Sequence, residues 1–427
     1  MIFQSAIFAI SLLGHQADTL IANNSIIKEW AKTDSRLGWC ANDFFLHYIP
    51  FNQIAISKKY ICVKCENTLL SLAQFDSKIL QQKFSYGLHL SACKIEHKLL
   101  KLLLQNDNIK VLIIHDCVID DYLFELISSS NSIEVLQLLS TNVSGKDISK
   151  FKRMKSLEYI VFKGTSASDR ELQQLAQISS LKGVYLSERS ITLDAISNLL
   201  KKLSTLDALA LNFVKLDMQA IVNVSRLKRL KYLELRGAHL TTNMWALLSR
   251  FDSLMVLDAS DNEVTLNILD EFARLSSLQS LVLRNAKLSN ESLASISKMR
   301  QLRSLFVSQN RITDEGISHL GKLTNLECLE LAYTDIQGHS LKDLQSLTIL
   351  LLVNSKINKS TIAIAASLPK LFLLDISRCF DKLDLDDIKA ILASKVLLKC
   401  YCRSIYFDKS AKLYIFNFDI YKLIVTD

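Results

Sequence analysis

The chain has almost no proline: Pro50 and Pro369 are the only two in 427 residues. Glycine is nearly as sparse, at 10. Flexible Gly/Ser linkers and proline-rich spacers are therefore excluded, because those residues define them. The nine cysteines are odd in number and lack a disulfide-like spacing, which fits a reducing compartment. The opening MIFQSAIFAISLLG is apolar up to Gly14 but lacks the basic region of a secretory signal. It is also too short to span a membrane. It reads as a buried N-terminal helix, with an atypical signal cleaved after Ala17 as the alternative. A cytoplasmic location, or delivery into a host cell, is the expectation.

Catalytic signatures are missing too. There is no Gly-rich phosphate loop, no G-x-S-x-G and no H-E-x-x-H. His115 and His239 have no carboxylate and nucleophile at a known spacing. Neither an enzyme nor a cofactor is expected. Cys62 and Cys65 form a Cys-x-x-Cys with Cys40 and His47 upstream, but one tight pair with an isolated His matches no zinc module. The net charge of +8 runs along the chain without a block, so neither nucleic acid nor a membrane is an expected partner.

What is present is a repeat. Leu278, Leu281, Leu283 and Leu288 are spaced 3, 2 and 5 apart, and Leu302, Leu305, Val307 and Ile312 repeat that spacing 24 residues later. With the first position as anchor, copies start at Ser85, Ile109, Ile133, Leu157, Leu181, Leu206, Leu230, Leu254, Leu278, Leu302, Leu326, Leu347, Leu371 and Lys395. Most steps are 24; Leu181 to Leu206 is 25 and Leu326 to Leu347 is 21. Positions +3 and +5 alternate as on a strand facing a core. Positions +15, +18 and +21 are apolar as on one helix face. Thr192, Ser289 and Thr313 stand where that helix would be capped. Neither element can bury its apolar side alone, so stacking must join them. The short copy from Leu326 has lost about one helical turn, which predicts a local change of curvature.

This pattern, L-x-x-L-x-L-x-x-N-x-L, resembles the leucine-rich repeat (LRR). The phrase RITDEGISHLGKLTNLECLELAYTDI resembles the 24-residue repeats of bacterial LRR proteins and the LRR tails of F-box proteins. The resemblance implies an α/β class: a right-handed LRR solenoid, or horseshoe, with a parallel β-sheet on the concave face and helices on the convex face. Position +8, usually Asn, is Asn262 and Asn310 here, but Thr, Ser or Cys in many copies. Residues 85–405 are read as the solenoid of about 14 repeats. Residues 406–427, rich in aromatic and β-branched side chains, read as a C-terminal β cap. Residues 1–84 read as a helical N-terminal cap. Alternatively, Leu46, Ile49, Pro50, Ile54, Val63, Cys65 and Leu70 resemble the later part of an F-box, although its opening L-P-x-E and late Trp are missing.

The expected function is a non-enzymatic scaffold that binds a protein partner on the concave face. The alternative is an F-box-like substrate adaptor, with residues 1–84 docking a ubiquitin-ligase core, possible also for a bacterial effector inside a host. Strand positions that do not face the core are the candidate contacts. They are Tyr185, Glu188, Asn212, Phe213, Tyr232, Glu234, Arg236, Asp258, Asp261, Arg284, Asn285, Phe306, Gln309, Glu330 and Tyr333. Aromatics beside Arg and carboxylates suit protein recognition. On an open face, replacing Tyr232 and Arg284 by Ala should hardly change stability.

Overall fold

The computed structural model describes residues 85–380 apart from 144, 188 and 189, together with 61–66, 69–70, 382–383, 391, 394, 399–401, 406–407 and 419–421. The expected N-terminal helix, Cys40, His47, the opening F-box-like positions, most of the C-terminal β cap and Glu188 lie outside them. The chain divides into two compact units, Met1–Ala238 and His239–Asp427. Each is an α/β run of leucine-rich repeats in which a short strand and a helix alternate.

In the first unit the strands Ile61–Glu66, Tyr86–Ser91, Ile109–His115, Val135–Leu139, Tyr159–Lys163, Gly183–Ser187, Ala208–Leu211 and Tyr232–Glu234 follow in chain order, each parallel to the last. In the second unit Val256–Asp258, Ser280–Val282, Ser304–Phe306, Cys328–Glu330, Ile349–Leu351, Leu373–Asp375 and Lys399–Tyr401 do the same. Asp419–Tyr421 then pairs antiparallel with Lys399–Tyr401. The 25-residue step puts Gly183 opposite Ala208, and the 21-residue step puts Cys328 opposite Ile349.

The repeat spacing explains the core. Leu233, Leu235, Leu281, Leu283, Leu305 and Val307 are fully buried at +3 and +5. Helix positions follow: Ile221, Val224 and Leu227 on and after Met218–Ser225, and Leu293, Ile296 and Met299 on and after Asn290–Ile296, are buried as well. Thr192 caps its helix by accepting from the Ala195 amide, and Ser289 forms a capping box with Ser292. Thr313 does not cap with its own side chain; its hydroxyl accepts instead from Asn290 Nδ2 at 2.9 Å.

Two boundaries differ from the sequence reading. Ile61–Glu66, expected in helical surroundings, is a strand that pairs with Tyr86–Ser91. Ile61, Val63 and Cys65 alternate with Cys62, Lys64 and Glu66, a two-residue period, and the neighbouring strand offers a ladder of backbone partners. Parallel pairing therefore begins before Ser85. At the other end Leu373 faces Lys399, a step of 26, so the last anchor is Leu397 and not Lys395.

The short repeat replaces its α-helix by a 3-10 turn, His339–Asp343. The preceding repeat ties it down. Asp314 accepts from the amides of Gln337 at 2.5 Å, Ser340 at 3.0 Å and Gly338 at 3.2 Å. Burial alone would push the Asp314 carboxyl up, but these three amides outweigh it and hold it below the usual carboxylate range. Gly338 has φ +95°, and a Cβ there would lie 2.3 Å from Thr361 Cγ2 and Oγ1. Thr361 is buried and cannot swing clear. Gly338→Ala is therefore expected to destabilise the second unit by about 2–3 kcal/mol, combining left-handed strain with overpacking. A thermal melt unchanged by the substitution would contradict this account of the short repeat.

Candidate functional site

Strand neighbours in a parallel sheet stand about 4.8 Å apart, so side chains at one repeat position form a ladder along the helix-free face. Each is covered by the copies before and after it. That packing corrects the picture of an open row. Tyr185, Asn212, Glu234, Asp258, Phe306 and Glu330 are buried. Tyr232, Arg236, Asp261, Arg284 and Tyr333 are half-buried, and Phe213, Asn285 and Gln309 are exposed.

The exposed positions have a common cause. Ala92, Asp116, Ser140, Gly164, Phe213, Gly237, Asp261, Asn285, Gln309, Tyr333, Asn354 and Arg378 all occupy +7, and all have φ between 47° and 62°. The chain leaves each strand through a left-handed residue. Its amide donates to the +6 carbonyl of the next repeat, as Phe213 to Arg236 at 2.7 Å and Tyr333 to Val353 at 2.9 Å. The ladder thus holds the residue in a conformation that costs an L-residue roughly 1–2 kcal/mol, less for Asn, Asp and Gly. The sequence reading missed this rule. The signal was there in Asp116, Gly164, Gly237, Asp261, Asn285 and Asn354, spaced like the anchors. Phe213 and Tyr333 break it, being bulky aromatics at a position that favours small polar residues.

In the first unit Phe213 has a prepared seat. Its ring lies over Gly237, where an added Cβ would come within 2.8 Å of Phe213 Cδ1. The Arg236 guanidinium lies 5.4 Å from the ring centroid, within cation–π range. Beneath, Asn212 Nδ2 donates to Tyr185 Oη and to Glu234 Oε2, both at 2.8 Å. Asn212 Oδ1 accepts from the Arg236 amide at 3.0 Å. Asn212 therefore ties three repeats together under the exposed ring. Nearby, burial pushes the Lys163 ammonium below its ordinary range, and repulsion from Arg236 adds to this.

The second unit has a buried ion pair on its own helix-free face. Arg284 Nε donates to Glu330 Oε2 at 2.7 Å, spanning two repeats, and Glu330 is wholly buried. The guanidinium also lies 5.1 Å from the Phe306 ring centroid. Burial raises the Glu330 carboxyl above its ordinary range; Arg284 opposes that shift. Asp258 accepts from the Ser260 amide, and Ser260 Oγ accepts from the Arg284 amide. Asn285 Nδ2 donates to Asp261 Oδ1 at 2.8 Å.

The +8 spine is satisfied by mixed side chains. Asn310 accepts from the amides of Ala286 and Leu288 and donates to three carbonyls. Shorter residues do part of this work: Thr334 and Ser355 donate to Leu331 O, both at 2.6 Å, and Cys379 to Leu352 O at 2.9 Å. The first unit also has a groove of ≈ 860 Å³ beside the leading loops, lined in part by Cys93, His97, Val118 and Asp120. His97 Nε2 and Asp120 Oδ2 are 2.7 Å apart there. His115 sits beside Ser91 Oγ and stacks near His89, at 6.4 Å between centroids. Among the described residues no group of three His, Cys, Asp or Glu is placed to hold a metal, and no helix is long and apolar enough to cross a membrane.

No family model matches the chain, and no curated protein matches it. Among solved structures it is similar to an internalin (inlF) from Listeria monocytogenes str. 4b F2365, with 20% identity and a TM-score of 0.46, over 73% of this chain and 89% of that one. It is also similar to an internalin C2 (inlC2) from the same strain, with 25% identity and a TM-score of 0.36, over 48% of this chain and 84% of that one.

Proposed function

We propose that the chain is a non-enzymatic scaffold that binds a protein partner on the helix-free face, through side chains presented at the left-handed +7 positions. Phe213 carries this reading. A large apolar ring is exposed where the repeat favours Gly or Asn, and Gly237 and Arg236 are arranged around it. Strain kept against the local preference is the mark of a retained contact. Asn285, Gln309 and Tyr333 present their side chains by the same backbone device in the second unit. The adaptor alternative expects a helix around Val63 and Cys65, where the chain forms a strand, so the scaffold reading is the one favoured here.

The test compares affinity capture by the full chain, by Phe213→Ala and by Leu266→Ala, an equally exposed apolar residue at a helix start. Phe213→Ala is expected to lose partners with about a thirtyfold or greater drop in affinity, the size of a hot-spot truncation. Melting should be nearly unchanged. Leu266→Ala should keep the partners. An identical catch by all three proteins would remove Phe213 from the contact.

A further inference from the structure

Cations that are far apart in sequence meet on one edge of the first unit. Because the strands are parallel, every turn that leads into a strand lies on the same edge. The backbone ladder shows it: the amide of Lys182 donates to Glu158 O, that of Asp207 to Lys182 O and that of Lys231 to Asp207 O. Around this ladder stand Lys201 and Lys202 in the last turn of Leu193–Lys202, Arg226 at the end of Met218–Ser225, and Lys228 and Arg229 in the next turn. All seven cations are exposed. Two carboxylates stand among these cations. Glu158 pairs with Lys182 at 2.7 Å, and Asp207 accepts from Tyr159 Oη while Lys231, Lys182 and Arg229 surround it. The sequence shows these cations as scattered because no repeat contributes more than three.

We propose that this edge adsorbs the chain onto an anionic membrane surface. The cations lie in three layers, at helix ends, in turns and at strand starts. They therefore form a two-dimensional patch, whereas a linear polyanion would meet a single row. Five of the seven are Lys, which neutralise phosphate as point charges without needing a fixed fork geometry. Among the described residues of the first unit, none of the exposed large apolar side chains, Leu102, Val118, Tyr122, Phe213 and Met218, lies among them, so the attraction is electrostatic. Seven cations against two carboxylates leave the patch net positive, which is sufficient for reversible adsorption to a negative leaflet.

The test is co-sedimentation of the full chain with phosphatidylcholine vesicles, with and without phosphatidylserine. Binding is expected only with phosphatidylserine and should vanish at high salt, where screening shortens to a few ångströms. The variant Lys201→Glu, Lys202→Glu, Lys228→Glu, Arg229→Glu should lose at least about a hundredfold in partitioning. A control carrying the same charge change at Lys94, Lys98, Arg170 and Lys215, exposed cations of the first unit away from the edge, should retain most of it. Equal loss in both variants would reduce the effect to net charge and overturn the assignment. So would failure to bind phosphatidylserine vesicles, or tighter binding to a DNA duplex or polyglutamate than to the vesicles. All the substituted residues are exposed, and coincident melts of the three proteins exclude unfolding as the cause.

Discussion

Leu281→Asp is expected to remove the second unit from the soluble, cooperatively folding fraction. Leu281 is wholly buried, and in the strand ladder it stands between Leu257 and Leu305, both buried too. Truncating such a leucine to Ala already costs about 2–5 kcal/mol. An aspartate adds a carboxylate with no cation on the core side, and burying an unpaired charge costs several kcal/mol more. Against a typical stability of about 5–15 kcal/mol, the sum approaches everything available. The damage also spreads, because each repeat of a solenoid gets its buried face from its neighbours. The measurement is soluble yield with a circular dichroism melt, and Leu281→Met, which conserves volume, should be nearly silent. A soluble Asp variant melting like the parent would mean that +3 does not point inward.

The inward half of each repeat was legible because hydrophobic burial depends on spacing alone. Leu233, Leu257, Leu281 and Leu305 could be placed from their 24-residue register before any coordinates. The outward half was not legible for a different reason. Exposure on a ladder is decided by what stands one repeat away, and Glu330 looks like a surface charge until Arg284, 46 positions earlier, is found at 2.7 Å. The left-handed +7 positions were visible in principle, since Asp261, Asn285 and Gly237 share a register, but Phe213, Gln309 and Tyr333 obscured it. The basic edge stayed hidden because only parallel pairing collects Lys182, Lys201 and Lys228 on one side. The strand at Ile61–Glu66 was masked by an anchor pattern too degenerate to register.

Arg284→Ala, which an open face would tolerate, is expected to destabilise the second unit by about 3–5 kcal/mol. The cost is less the lost attraction than the charge left behind: Glu330 would remain wholly buried with its cationic partner Arg284 gone. The pH dependence identifies the cause. Burial already holds the Glu330 carboxyl above its ordinary value of 4.5, with Arg284 working in the opposite direction. Without Arg284 the folded-state value must rise further. A carboxyl whose folded pKa exceeds its unfolded one binds protons more tightly when folded. Its contribution therefore makes stability fall as pH rises from about 4.5 upward through the folded value. Urea melts across that range should show the variant's deficit shrinking toward acid, where Glu330 is neutral in both states, and growing toward neutral pH. A deficit independent of pH would assign the loss to packing against Phe306 instead. Replacing both partners together, Arg284→Met with Glu330→Met, removes the buried charges as a pair and should recover most of the stability, since an apolar substitute of similar volume is often neutral or better. If the double variant is as unstable as Arg284→Ala, the ion pair is not what this face of the sheet depends on.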